Sequence, residues 1–117
     1  MLDKRNFYIN GKWVKPSKTN DFEVINPSNE QTFAIISLGS KEDTDSAVNA
    51  AKNAFNSWKE TSKVERINFL ENLLKIYKKR FNEMAEAMSI EMGAPIDYAI
   101  STHAASGQSH IEDLYLG

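Results

Sequence analysis

The sequence predicts an α+β chain in which two small N-terminal β-hairpins are followed by three or four α-helices. Up to residue 39, apolar residues alternate with polar ones or form short β-branched runs between turn residues. From residue 40 onward, apolar residues recur every three or four positions, which is the period of a helix. The chain has 117 residues, 41% of them hydrophobic and 26% charged, an ordinary composition for a globular segment.

Turn residues define the two predicted hairpins. Asn10-Gly11 lies between Phe7–Ile9 and Lys12–Val14, and this pair readily takes positive φ at both central positions of a type I′ turn. A second pair of strands is predicted at Phe22–Ile25 and Thr32–Ser37. Asn26-Pro27 stops the first of these strands, because proline has no amide hydrogen for a strand ladder.

Two serines predict where the first long helices begin. Ser40 precedes Asp43 by three residues and Ser62 precedes Glu65 by three, so both pairs fit a capping box. The first helix is expected to bury one apolar stripe, formed by Ala47, Ala51, Ala54, Phe55 and Trp58.

The second helical stretch carries a longer run of apolar residues. Its main face is predicted to hold Ile67, Leu70, Leu74, Tyr77, Phe81, Met84 and Met88, joined by Phe69, Leu73 and Ile76. Lys78–Arg80 fits either a kink or the junction of two helices. The row Met84, Met88 and Met92 is expected to fill the core.

A last helix is predicted from Ile96 to Leu116. Gly93 suits the left-handed position after the preceding helix, and Pro95 suits the first turn of the next one. The chain stays apolar to Leu116-Gly117 without a polar cap, so we expect a helix that is cut rather than finished.

Composition disfavours several classes of function. The net charge of -2 supplies no basic surface for nucleic acid, and no apolar run approaches the roughly 20 residues that span a bilayer. The chain contains no cysteine, which fits the cytoplasm. Its five glycines form no phosphate-binding loop of the G-x-G-x-x-G type.

The polar residues offer only weak catalytic candidates. His103 and His110 lie seven residues apart near several serines, but no G-x-S-x-G sequence accompanies them, so both are expected at a surface or an interface. Together with Glu112 they lack the i, i+4 spacing of a helical zinc site. The acids at the helix starts and on the polar faces are expected to be solvated and without a role: Glu42, Asp43, Asp45, Glu83 and Glu86.

Five motifs in order resemble the beginning of the aldehyde dehydrogenase family. They are Tyr8–Trp13, Ile25–Glu30, Glu42–Val48 with the alanines that follow, Arg66 before an apolar helix, and Glu91–Pro95. Asn29 stands where the family usually has glycine, and Ala94 stands where it usually has lysine. Asparagine also tolerates a left-handed conformation, so the first departure is mild.

The resemblance implies an oxidoreductase that oxidises aldehydes to carboxylic acids with NAD or NADP. Residues 1–117 would form an incomplete N-terminal portion of the coenzyme-binding domain within a larger α/β fold. The family's cysteine nucleophile, general base and coenzyme contacts would lie beyond residue 117. No catalytic or cofactor-binding residue is therefore assigned here, and we expect this segment alone to bind no coenzyme and to be inactive.

One site could fall inside the chain. Several family members bind a monovalent cation with a main-chain carbonyl before Asn-Pro and the acid of the Gly-x-Pro corner, which correspond here to Ile25 and Glu91. Oxygen ligands of this kind suit a hard cation.

The resemblance also implies partners. These are the remainder of a dehydrogenase subunit and further copies in a homo-oligomer, with neither nucleic acid nor membrane among them. Two alternatives remain open from the sequence: a small α+β interaction domain without catalysis, and a regulatory chain that pairs with intact dehydrogenase subunits.

Overall fold

The computed structural model describes residues 1–116, which form two compact units. The strand unit contains residues 1–25 and 30–60, and the helical unit contains residues 26–29 and those from 61 onward. The predicted cut end at Leu116-Gly117 includes Gly117, which lies outside the described residues. Within residues 1–116, no helix combines the length and the apolar character needed to cross a membrane.

The strand unit holds five strands, β1 (Leu2–Asp3), β2 (Phe7–Ile9), β3 (Lys12–Val14), β4 (Asp21–Asn26) and β5 (Gln31–Ser37). β2 and β3 form the predicted hairpin, with Tyr8 opposite Trp13. Asn10 and Gly11 have φ of 53° and 76°, so the type I′ prediction is confirmed.

A second sheet has the order β1-β5-β4. β4 and β5 are hydrogen-bonded neighbours, as the second predicted hairpin requires. Near their turn, Glu30 takes the left-handed conformation, with φ of 60°. The sequence favours this conformation at Asn29 instead, but Asn29 does not have a positive φ. β1 runs parallel to β5, pairing Leu2 with Ala34. This strand was not predicted, because two residues carry no readable period.

Helix α1 (Lys41–Trp58) begins at the predicted capping box of Ser40 and Asp43. Its expected apolar stripe is buried less than predicted. Ala47 is half-buried, whereas Ala51, Ala54, Phe55 and Trp58 are exposed. Asp43, Thr44 and Ala47, in the first half of α1, line the same groove as the residues of strand β2.

The helical unit contains α2 (Lys63–Lys79), α3 (Phe81–Met92), α4 (Ile96–Tyr98), a π-helical segment (Ala99–Ala104) and α5 (Ala105–Leu116). α2 begins at the predicted box of Ser62 and Glu65. The predicted break near Lys78–Arg80 is a junction of two helices, because Arg80 leaves the helical conformation at φ -105° and ψ 18°.

The core of the helical unit is built from small residues. Ala85, Ala99 and Ala104 are fully buried, and Phe81 and Met88 pack against them. Of the methionine row, Met88 is packed as expected, while Met84 is 40% exposed and Met92 62%. The predicted core role is therefore wrong for these two residues.

The last helix covers the predicted range but contains a π-helical turn that was not predicted. The Tyr77 hydroxyl donates a hydrogen bond of 2.9 Å to the Ala104 carbonyl, at the end of that turn. Gly107 makes room for the tyrosine, since a Cβ there would lie 2.4 Å from the Tyr77 hydroxyl oxygen. A side chain that bonds a helix carbonyl in this way accounts for the local change of period.

Candidate functional site

Two of the sequence motifs lie against each other inside the helical unit. In the Asn26–Asn29 turn, the Asn26 side-chain oxygen accepts a hydrogen bond of 2.9 Å from the Ser28 amide. Gly93 ends α3 in the left-handed conformation, at φ 72°. A Cβ on Gly93 would lie 3.0 Å from Pro27 Cγ, so the Asn-Pro turn packs on the glycine corner.

Internal hydrogen bonds hold the glycine corner in shape. The Gly93 amide donates to the Ser89 carbonyl at 2.9 Å, and the Ser89 hydroxyl donates to the Ala94 carbonyl at 2.7 Å. Ala94 contributes only its main chain to this contact. The Ser89 bond therefore does not depend on the lysine that the family usually has at this position.

The predicted cation ligands fall in different units. Ile25 lies on β4 in the strand unit, and Glu91 lies on α3 in the helical unit with an exposed side chain. Among residues 1–116 there is no group of three or more histidine, cysteine, aspartate or glutamate side chains that could hold a metal ion. The cation site predicted at Ile25 and Glu91 uses one carbonyl and a single acidic side chain, so it is not such a group and stays a prediction.

His103 is more enclosed than the sequence suggested. It lies in the π-helical segment, is half-buried, and meets Tyr98 edge-on with ring centroids 5.0 Å apart. Its Nδ1 atom is buried and has no hydrogen-bonding partner within the described part of the chain. His110 lies on α5 and is exposed, as expected.

The neighbours of the two histidines have other partners. Glu112 accepts a hydrogen bond from Gln108 at 3.1 Å and pairs with Lys78 at 3.3 Å. The Ser106 hydroxyl donates to the Thr102 carbonyl at 2.7 Å. These contacts support a structural role for the polar residues of α5 and do not assemble a nucleophile and a base.

Asp43 corrects the expectation that the first-turn acids are solvated. Its residue is only 8% exposed, and its carboxylate accepts hydrogen bonds from the Ser17 amide at 2.8 Å and the Ser40 amide at 2.9 Å. These amides hold the pKa of Asp43 below its usual range, the Ser40 amide having the larger effect. The Ser17 contact spans 26 positions, so no local pattern announces it.

Acids of the chain lie at the starts of α1 and α2, where they disfavour the phosphates of a dinucleotide. A phosphate at a helix N-terminus is bound by free amides and the positive end of the helix dipole. At α1 the carboxylate of Asp43 already lies there, and at α2 the Ser62 amide donates to Glu65 at 2.7 Å. Both positions are thus occupied by the chain's own acids.

An open groove in the strand unit offers no better reactive centre. It has a volume of about 430 Å³ and lies beside the hairpin and the start of α1. It is lined by Asn6, Phe7, Tyr8, Ile9, Gly39, Asp43, Thr44 and Ala47. Asp43, the carboxylate in this lining, accepts the hydrogen bonds described above and is therefore already engaged.

Comparison with known proteins places this arrangement in a family. The model of the aldehyde dehydrogenase family matches residues 13–112. A 3-succinoylsemialdehyde-pyridine dehydrogenase from a Pseudomonas species is 42% identical over 111 residues. The match covers 94% of this chain and 23% of that relative.

Solved structures agree with the sequence match. An aldehyde dehydrogenase from Bartonella henselae superimposes with a TM-score of 0.95 at 55% identity, over 96% of this chain and 24% of that one. Aldehyde dehydrogenase C from Pseudomonas syringae, crystallised as a mutant with NAD+ and octanal, gives 0.92 at 34% identity, over 97% of this chain and 24% of that one.

The chain belongs to the aldehyde dehydrogenase family, and it has the α+β architecture of part of that fold. It spans about a quarter of the length of the relatives it matches. The members of this family are oxidoreductases. The 117 residues of this chain contain no cysteine.

Proposed function

We propose that this chain serves an NAD-dependent aldehyde dehydrogenase, which oxidises aldehydes to carboxylic acids, by forming the N-terminal part of its coenzyme-binding domain. The match over residues 13–112 carries the proposal. The close superposition on the Bartonella henselae dehydrogenase supports it. The role of the segment is structural, since its hairpins and helices brace the domain.

The chemistry of the proposed enzyme has to come from outside these residues. Aldehyde oxidation in this family begins with attack by a cysteine thiolate, and none of the 117 residues is a cysteine. NAD, when bound, accepts the hydride. Because the starts of α1 and α2 are closed by Asp43 and Glu65, the phosphates of NAD would be held by other residues.

Complementation tests the proposed function. The chain would be co-expressed with a Bartonella henselae dehydrogenase that lacks the matching part. NADH formation by the complex would be assayed with NAD and an aldehyde that the intact Bartonella henselae enzyme oxidises. We expect turnover from the complex and none from either polypeptide alone. Turnover by the 117-residue chain, or an inactive complex, would overturn the proposal.

The finer features of the proposed enzyme rest on the family and the composition. We propose a cytoplasmic location, which the cysteine-free composition favours, and a homo-oligomeric complete enzyme. Use of NADP in place of NAD is the alternative coenzyme assignment.

The proposal includes a monovalent cation bound by the Ile25 carbonyl and the Glu91 carboxylate, on the strength of the sequence pattern alone. In the complemented enzyme, potassium should raise the melting temperature, and Glu91→Gln should reduce that increase. Glu86→Gln on the same helix is the matched control. An equal response of both variants to potassium would contradict the site.

A further inference from the structure

The Asn10-Gly11 turn is the one place in the sequence where glycine follows asparagine. Both residues are exposed at the tip of the β2–β3 hairpin, and a Cβ added to Gly11 would meet nothing within 4 Å. The strand register pairs Ile9 with Lys12, so the main-chain amides of Asn10 and Gly11 lie outside the ladder. The turn therefore places an unhindered amide nitrogen next to an exposed carboxamide.

An asparagine carboxamide reacts with a neighbouring amide nitrogen when the nitrogen is accessible. The side-chain carbon Cγ is an electrophile, and attack by the amide nitrogen of the next residue closes a five-membered ring. Any side chain on that residue crowds the attack, whereas glycine has no Cβ. Asn26 is excluded, because Pro27 has no amide hydrogen to lose. Asn56 precedes Ser57 inside α1, where the amides bond helix carbonyls, so we expect it to react more slowly.

The hairpin that carries Asn10 is short. β2 and β3 have three residues each and form a two-stranded sheet of their own. Such a hairpin gains little stability from its own ladder, and weakly held elements open locally at a low free energy. The opposed side chains of Tyr8 and Trp13 are 63% and 70% exposed, so few contacts hold this face closed. Opening releases Asn10 from its left-handed conformation and lets the Gly11 nitrogen reach Cγ.

We propose that Asn10 is a site of spontaneous modification, at which deamidation gives aspartate or isoaspartate, and that the isoaspartate form releases the β2–β3 hairpin. The open turn, the missing Cβ of Gly11 and the short strands carry this inference together. It does not rest on the proposed function, because it concerns the hairpin alone.

The reaction consumes one water molecule and releases one ammonia molecule. The Gly11 amide nitrogen loses its proton and bonds to Cγ of Asn10, the bond from Cγ to Nδ2 breaks, and Nδ2 takes up a proton and leaves as ammonia. Water then adds to one of the two carbonyl carbons of the cyclic imide. Cleavage of the bond from the nitrogen to Cγ gives aspartate, and cleavage of the bond from the nitrogen to the main-chain carbonyl carbon gives isoaspartate. No oxidant or reductant takes part.

The two products have different consequences for the hairpin. Aspartate keeps the length of the main chain, and Asp-Gly also suits a type I′ turn. Isoaspartate routes the main chain through the side chain and so adds one carbon between Ile9 and Lys12. Because a two-residue turn fixes the strand register, this extra carbon should break the pairing of Tyr8 with Trp13.

Peptide mass spectrometry of the aged chain tests the site. The 117-residue chain is kept at mildly alkaline pH, which favours loss of the amide proton, and the replacement of an amino group by a hydroxyl is followed at each asparagine. Asn10 should be converted roughly tenfold faster or more than Asn56, whose neighbouring amide is held in a helix. Asn10→Gly should give no product in this turn, while Gly-Gly preserves the type I′ conformation.

A second measurement tests the release of the hairpin. The aspartate and isoaspartate forms are separated, and methyl transfer by an enzyme that recognises isoaspartate identifies the second form. Amide hydrogen exchange over residues 7–14 should be faster in the isoaspartate form than in the parent chain. Asn10→Asp should exchange like the parent, which separates the effect of the new charge from that of the longer main chain.

Two outcomes would overturn the proposal. Conversion of Asn10 at the same rate as Asn56, or no conversion of Asn10, would remove the modification site. Equal hydrogen exchange in the isoaspartate form and the parent chain would show that the modification does not release the hairpin. Neither measurement involves a coenzyme or an aldehyde, so this proposal and the proposed function fail separately.

Discussion

At the scale of single residues, Asp43 joins two parts of the strand unit through one carboxylate. It accepts hydrogen bonds from the amide of Ser40, the residue before α1, and from the amide of Ser17, which lies 26 positions earlier. The Ser17 and Ser40 hydroxyls are 2.7 Å apart and complete the network. Such a carboxylate is a helix cap and a tertiary contact at once.

The lowered pKa of Asp43 makes the strand unit sensitive to acid. The unfolded chain binds a proton at this group near pH 3.9, and the folded chain does so only at lower pH. The stabilisation is therefore present above about pH 4 and is lost as the pH falls through the pKa of the folded state. Asp43→Asn should lower the melting temperature at pH 7 by several degrees, and this difference should shrink in acid. Thermal melts from pH 2 to pH 7 measure it, with Glu42→Gln as the control; a difference that stays constant with pH would contradict the assignment.

Alanine substitutions at Gly93 and Gly11 distinguish the cost of backbone strain from the cost of a steric clash. Both have positive φ, so alanine costs roughly 1–2 kcal/mol of strain at either position. At Gly11 a Cβ meets nothing within 4 Å, whereas at Gly93 it lies 3.0 Å from Pro27 Cγ. Gly93→Ala should therefore lower the free energy of unfolding more than Gly11→Ala. Equal losses in urea unfolding would mean that the Pro27 contact contributes nothing.

At the scale of elements, the π-helical segment depends on a partner outside its own helix. Tyr77→Phe should lower the free energy of unfolding by about 1 kcal/mol, because the Ala104 carbonyl loses its hydrogen-bond donor. Gly107→Ala should cost roughly 1–3 kcal/mol through its clash with the Tyr77 hydroxyl oxygen.

The double variant tests whether these two effects share one cause. Since the alanine clashes with the hydroxyl that phenylalanine lacks, the combined loss should be smaller than the sum of the single losses. Gly39→Ala is a neutral control, because its Cβ would lie an ordinary 3.8 Å from Phe7. Additive losses would show that Tyr77 does not hold the turn through its hydroxyl.

The sequence predicts the elements whose interactions join residues close in the chain, and it does not predict those whose interactions join distant residues. Ser40 and Ser62 find their partners three residues away, so both helix starts can be read locally. The π-helical turn depends on Tyr77, 27 positions from Ala104, and no pattern near Ala104 announces it. The same holds for the burial of Asp43 and for β1, whose pairing with β5 joins distant residues. The cation site at Ile25 and Glu91 stays a prediction from the sequence pattern.

At the scale of the whole molecule, the acids at the starts of α1 and α2 lead us to expect that this chain alone does not bind NAD. A ligand that binds the folded chain raises its melting temperature as the ligand concentration rises. Because Asp43 and Glu65 occupy the starts of α1 and α2, NAD should leave the melting temperature of the isolated chain unchanged. A saturable increase with NAD would contradict this expectation and would place a dinucleotide site within the chain.

The contact between Pro27 and Gly93 also sets an order of events during synthesis. Residues 26–29 belong to the helical unit, although the strands on either side of them are assigned to the strand unit. Their partner Gly93 is made about 65 residues later, which at roughly 5–20 residues per second is a delay of several seconds. During translation the Asn-Pro turn must therefore stay uncovered while β4, β5 and α1 are already available to pair. The packing of Pro27 on Gly93 can therefore form only after the ribosome has added α2 and α3.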